Sequence, residues 1–305
     1  MKKLTFMAYA AVAATVFGFA VSAQAANGNL VQDSDGYYKI DDYADLQAFA
    51  RTVNGGKPSA NGKLTADIAA TGTDWTPIGN DPNCFNGVFD GQGHTIAGLD
   101  NTGASSSPLF AGLFGHVIGT VRNVGVVGGN IQSSAGNANV GGIAGDLDLG
   151  TVENCFFSGS VTAGTSEDNS SYSGGIVGLN FGVVRNCHST ASLRGYHAGG
   201  IAGGMYAGSL VKTCCFAGYR PGDSSYHDFG AIVGEIAGNG QKCTVSHCYY
   251  NGQMAAPGVG VSNGASVSTV VGLLTQYFTA PSISRGSILR TPGTWANPAR
   301  CFARS

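Results

Sequence analysis

The chain has 305 residues with Lys+Arg 16, Asp+Glu 18 and a formal net charge of −2, so charged side chains make up only 11% of it, less than half the usual share of about 25%. That balance leaves no basic footprint for nucleic acid. Glycine supplies 49 residues against 9 prolines in a chain that is 43% hydrophobic, with no strict G-x-y period; this excludes a collagen helix and a disordered linker and points to short strands separated by many turns.

At the amino terminus Lys2 and Lys3 precede an apolar run from about Ala8 to Val21, and Ala23-Gln24-Ala25 has the A-x-A form of a signal-peptidase site. Residues 1–25 read as a signal peptide, because the run is shorter than the roughly 20 residues of a membrane span. Cleavage would remove both lysines and leave a mildly acidic product. No later segment has about 18 uninterrupted apolar residues and no Cys follows the run to accept a lipid. The sequence therefore predicts export to the periplasm, the cell surface or the medium, with no integral membrane segment after cleavage.

Residues 26–70 read as an N-terminal cap of strand and helix. Asp41 or Asp42 can cap a helix whose apolar positions Leu46, Phe49, Ala50 and Val53 follow a 3.6-residue period and which stops at Gly55-Gly56. One amphipathic helix at that place would cover the open end of a stacked core and its unpaired strand edge.

From residue 71 to 275 the chain repeats. Gly112-Leu113-Phe114-Gly115 recurs as Gly142-Ile143-Ala144-Gly145, Gly175-Ile176-Val177-Gly178, Gly200-Ile201-Ala202-Gly203 and Ala231-Ile232-Val233-Gly234, and a fading copy is read at Val271-Gly272-Leu273-Leu274. A second string follows each: GTVRNVGVVG, GTVENCFFSG, GVVRNCHSTA, SLVKTCCFAG and CTVSHCYYNG. Short β-branched runs bounded by glycine, with no helical spacing between Gly112 and Leu274, read as strands. A five-residue run buries one face only against a neighbour, so stacking one repeat on the next at about 4.8 Å gives an all-β fold, a β-solenoid, with indels in the turns.

Within the second string one apolar slot is filled by Val124, Cys155, Cys187, Cys214 and Cys248, a column suited to the inside of a stacked coil. The chain has 8 cysteines, too sparse for a disulfide scaffold. Buried thiols and bridges between rungs both remain open, since a rung spacing of about 4.8 Å allows a disulfide. Zinc is not indicated, no C-x2-C pair having a second beside it. Residues 276–305 lose the repeat and bring Arg285, Arg290, Arg300 and Arg304, a second cap or a tail.

The repeated Gly-Leu-hydrophobic-Gly strings, the Asn-Cys that follows them, and Trp75-Thr76-Pro77-Ile78-Gly79 leading to Phe89-Asp90-Gly91-Gln92-Gly93-His94-Thr95-Ile96 resemble GLUG-motif proteins from about Tyr38 to Tyr250. The resemblance implies a right-handed parallel β-helix and a bacterial exported protein of adhesin-like character; similar repeats flank the catalytic part of some IgA-cleaving metallopeptidases. No H-E-x-x-H occurs in this chain, so peptidase activity is not implied. Nor does a sorting signal, membrane anchor or outer-membrane barrel segment follow the repeats, and surface attachment is not read from any motif.

Because many polysaccharide lyases and hydrolases are β-helices, carboxylate pairs need weighing. Among Asp146, Asp148, Glu153, Glu167, Asp168, Asp223, Asp228 and Glu235, the pair Asp146 and Asp148 stands out, since alternate residues of an extended segment face the same way. No companion acid recurs on the next repeat, which favours solvated turn carboxylates. Asp90 reads as a turn former. There is no G-x-S-x-G and no phosphate-binding loop. The scattered His94, His116, His188, His197, His227 and His247 read as structural. No catalytic residue, metal ligand or cofactor is predicted.

Just before the G-G-I strings stand Tyr172, then Tyr196-His197, then Tyr226-His227. Stacked, they predict an aromatic strip able to lie on sugar rings or apolar peptide, with Glu167, Asp168, Asp223 and Asp228 nearby for sugar hydroxyls; the alternative is that the tyrosines pack on one another. The expectation is a non-enzymatic β-helix that binds carbohydrate or a host or matrix protein, as an adhesin does. The alternatives are a polysaccharide lyase or glycoside hydrolase, and a structural protein of the cell envelope.

Overall fold

The structure is a computed structural model that describes residues 30–273, apart from 105–106, 165–169, 207, 220–227, 238–240, 254–256 and 264. The proposed signal peptide and the arginine-bearing tail lie outside the described residues. Parallel strands coil into a β-solenoid of about six turns, with one helix at its start.

Each full rung lays down three faces. In one rung the first face is Asn139–Gly141, the second Ala144–Leu147, and the third a broken strand made of Thr151–Glu153 and Phe156–Thr162. The next rung repeats them as Tyr172–Gly174, Val177–Asn180, Val183–Arg185 and His188–Ser189. Like residues stand in register: Val121, Val152, Val184, Val211 and Val245 form one column across parallel pairs, and all are fully buried. Leu113, Ile143, Ile176, Ile201 and Ile232 fill the core beside the second face. Each such side chain contributes about 1.5–3 kcal/mol by leaving water.

Two of the coil's corners show why particular residues are needed there. Between the first and second faces a β-carbon on Gly141, Gly174, Gly199 or Gly230 would run into the carbonyl oxygen three residues on. One on the closing glycines Gly145 or Gly203 would come within 2.7 Å of backbone nitrogens of another rung, Ala111 and Ser173. Glycine is required here for close approach of backbone to backbone. Within the third face the corner residue is left-handed, with φ 56° at Asn123, 53° at Asn154, 54° at Asn186, 58° at Thr213 and 54° at His247. Asparagine tolerates that conformation, and its amide also forms a ladder. Asn123 Nδ2 donates to Asp90 Oδ1 at 3.0 Å, Asn154 Nδ2 to Asn123 Oδ1 at 3.0 Å and Asn186 Nδ2 to Asn154 Oδ1 at 3.3 Å.

One residue past that corner comes the slot of Val124, Cys155, Cys187, Cys214 and Cys248, all buried. The cysteines are free thiols; Cys155, Cys187, Cys214 and Cys248 each donate to the carbonyl two residues back, at 3.2–3.3 Å.

Helix α1 (Tyr43–Asn54) is capped by Asp42, whose Oδ1 accepts from Asp45 N–H at 2.8 Å, and ends at Gly55. Its Phe49 lies 5.8 Å from Phe89 and 6.3 Å from Phe85, closing the end of the core. The strands flanking it, Tyr37–Ile40 and Asn61–Leu64, continue the third face, so the capping segment shares its sheet with the repeats. Antiparallel Val31–Gln32 covers the outermost edge.

The fading repeat copy is placed differently from the sequence reading. Val271-Gly272-Leu273 belongs to the third face, Val271 opposite Tyr249. The second-face strand of that rung is Val259–Asn263, opposite Val233–Ala237, with Gly260 beside Gly234. The hydrophobic run at 271 imitated the motif, but the register follows the rung.

Two expected outcomes test these corners. Gly174→Ala should lose about 1–3 kcal/mol in urea unfolding, because the added methyl has backbone in its way. Thr213→Asn should gain about 0.5–1 kcal/mol, since asparagine replaces a β-branched residue in the left-handed region and can extend the amide ladder.

Candidate functional site: the concave corner

Where the first and second faces meet at the glycine corner, their outward side chains face each other across a concave angle. The first face contributes Phe110, Asn139, Tyr172, His197 and Asp228, in register one above another. The second contributes His116, Asp146, Leu179, Gly204 and Glu235, also in register.

Contacts cross the corner at several levels, within a rung and between rungs. The Phe110 and His116 rings are 5.2 Å apart. Asn139 Nδ2 donates to Asp146 Oδ2 at 3.2 Å. Tyr172 Oη donates to Glu235 Oε2 at 2.7 Å and lies 2.5 Å from Tyr206 Oη, which itself donates to Glu235 at 3.2 Å. The ring of Tyr172 stacks on His197 at 4.8 Å and 16°, and His197 Nδ1 is 2.8 Å from Asp228 Oδ2 and 3.8 Å from Glu235 Oε2. Burial, the Tyr206 hydroxyl and the Glu235 carboxylate all push the Tyr172 phenol far above its ordinary range.

The predicted aromatic strip is thereby redrawn. Tyr172 is aligned with His197 and not with Tyr196, because Tyr196 sits in the bend one residue before its strand. Tyr172 is 6% exposed and His197 8%, so both serve the corner's interior. Tyr196 is half-buried, edge-on to the His197 ring at 4.8 Å. Tyr226 and His227 lie outside the described residues, as do Glu167, Asp168 and Asp223.

Asp146 and Asp148 also stand differently from the sequence reading. Asp146 is in the strand and 8% exposed, not a solvated turn carboxylate, whereas Asp148 lies in the bend after Leu147. Burial holds the Asp146 carboxyl up at about 6, against the pull of His116 and Asn139. Asp90 is a turn former as read, accepting from Gln92 N–H at 2.9 Å.

At the helix end of the corner the loop before Phe85 meets the second face. Cys84 Sγ is 3.2 Å from His116 Nδ1 and 3.1 Å from Asp81 Oδ1, and His116 Nδ1 is 2.9 Å from the same Asp81 oxygen. Burial and Asp81 push the Cys84 thiol up to about 11. Residue-by-residue reading missed this cluster. Its available signal was the separation of 32 residues between Cys84 and His116, about one repeat. Tyr206 was likewise missed, its position being a strand end that no string marked.

Among the described residues no helix is long and apolar enough to cross a membrane. The GLUG motif matches residues 136–162 and 169–194, two consecutive rungs. Halomucin of Haloquadratum walsbyi is 36% identical over 160 residues, a match that takes in 44% of this chain and 2% of halomucin's length. The crystal structure of a candidate immunoglobulin A1 protease from Bacteroides ovatus superposes with a TM-score of 0.58 at 21% identity, covering 78% of this chain and 76% of that one; at that identity the likeness is one of fold. The GLUG motif is thus matched in tandem on two rungs of a β-solenoid, and the same glycine corners continue on the neighbouring rungs.

Proposed function

We propose that the protein is an exported, non-catalytic β-solenoid that binds glycan or protein at a surface or in a matrix, in the manner of an adhesin. The observation that carries this reading is an apolar ridge on the corner between the second and third faces. Ile118, Leu149 and Phe181 stand there on successive rungs, each directly before one of the stacked glycines Gly119, Gly150 and Gly182. Leu149 is 81% exposed and left-handed, φ 61°. A leucine held in that conformation costs about 1–2 kcal/mol, and its side chain recovers nothing from burial. Strain and exposure coinciding on a large apolar residue favour a role in contact. Phe181 extends the ridge by stacking on Tyr206 at 5.5 Å, and Tyr206 connects it to the concave corner.

Export rests on Lys2, Lys3, the apolar run and Ala23-Gln24-Ala25. The absence of catalysis rests on the corner's polar groups being tied to one another: Tyr172, Tyr206 and Glu235 form one hydrogen-bonded unit and Asn139 with Asp146 another. The likeness to halomucin covers so little of that protein that it speaks for the repeat alone.

A second reading, a polysaccharide lyase or glycoside hydrolase, draws on Asp146, whose carboxyl near 6 suits a general acid. Incubating the purified protein with host and microbial polysaccharides and analysing the supernatant by mass spectrometry separates the two. Retention without released oligosaccharides is expected; products would overturn the non-catalytic reading. For the ridge, Leu149→Gly should leave unfolding stability unchanged or raise it by up to about 1 kcal/mol, while binding to glycan arrays or matrix-coated surfaces falls at least about tenfold. Unaltered binding would remove the ridge from the contact surface.

A further inference from the structure

We propose that Asp81, Cys84 and His116 form a binding site for a thiophilic divalent transition metal, Zn2+ above all, with Asp146 as the outer partner of the histidine. One thiol, one imidazole and one carboxylate converge with their ligand atoms 2.9–3.2 Å apart. Metal–ligand lengths of about 2.0–2.3 Å in a tetrahedron give ligand–ligand edges of roughly 3.3–3.7 Å. Opening this triangle by a few tenths of an ångström therefore seats the ion and leaves a fourth position for water or a ligand. The mixture of thiolate and imidazole selects zinc, cobalt or nickel over calcium and magnesium, which take oxygen ligands.

A nucleophilic triad is the competing reading of Cys, His and Asp, and the geometry opposes it. In a triad the base faces the nucleophile with one ring nitrogen and its orienting carboxylate with the other. Here Cys84 and Asp81 both approach Nδ1, which is how ligands gather round an ion.

The second observation lies on the far side of the ring. His116 Nε2 is buried without a hydrogen-bond partner, and so is Asp146 Oδ1; the two residues are register partners on adjacent rungs. A metal-bound histidine characteristically donates its other N–H to a carboxylate, which fixes the ring and raises its basicity. Binding through Nδ1 leaves the hydrogen on Nε2, which no hydrogen bond joins to Asp146 as the side chains now stand and which a small turn of the ring would bring to that neighbouring carboxylate. The loop is also held for the purpose. Asn54 at the end of α1 accepts from Gly79 N–H at 2.8 Å through its side chain and from Asn83 Nδ2 at 2.8 Å through its carbonyl, so Asp81 and Cys84 are positioned before any ion arrives.

The test is titration of chelator-treated, reduced protein with Co2+, followed by displacement with Zn2+. The expected result is one equivalent of Co2+ giving thiolate-to-cobalt charge-transfer absorption that Zn2+ abolishes. Cys84→Ser should lose that absorption and His116→Gln the tight binding, with circular dichroism unchanged. Asp146→Asn should keep the stoichiometry and weaken affinity about 10–100-fold. Absence of the charge-transfer band in the wild type, or its persistence in Cys84→Ser, would overturn the site; wild-type affinity in Asp146→Asn would remove that residue from it.

Discussion

In-register stacking of corners is the constraint on which everything else in this molecule depends. A solenoid rung has no core of its own, so each residue's environment is set by the same position one rung before and after. Side chains on the faces can vary in size as long as the column stays apolar, and the valine column varies little. The glycine corner between the first and second faces cannot vary, because there backbone lies against backbone. Gly174 faces the carbonyl of Val177 and Gly203 the amide of Ser173, contacts no side chain could share. The rung length is free to change between corners, which is why repeats of unequal length keep one cross-section.

That sharp corner also creates the chemistry of the concave angle. Folding the first face back on the second brings two rows of outward side chains together, and these bury each other although neither belongs to the core. Polar residues removed from water must find partners. Asn139 with Asp146, and Tyr172 with Glu235 and Tyr206, are the outcome. Buried pairing of this sort costs about as much in desolvation as it returns, so its yield is a defined geometry along the corner. Asp146 marks where pairing stops: one of its oxygens has no partner and its carboxyl titrates high.

The opposite corner behaves differently. At Leu149 the chain accepts a strained, exposed leucine where asparagine or glycine would be easier. The contact role proposed for the ridge rests on that departure from packing rules at the surface.

Much of the architecture was legible in the sequence because stacking converts a one-dimensional period into a three-dimensional column. The glycine strings, the Asn-Cys pairs and the α1 period each named residues that the fold then uses in the way their chemistry requires: glycine for close approach, asparagine for left-handed corners, cysteine as a small buried apolar group. What the sequence could not fix was phase across rungs of unequal length. Tyr172 and Tyr196 precede similar strings, yet one is in a strand and the other in a bend, and only the hydrogen-bond register sets Tyr172 opposite His197. The same holds for Cys84, which belongs to no repeated string, and His116, just past one: they meet because the tertiary structure brings a loop against the neighbouring rung. Periodicity determines which residues share a column; the pairing of loops and faces across a corner depends on where the backbone can approach itself, and that was decided by the folded chain.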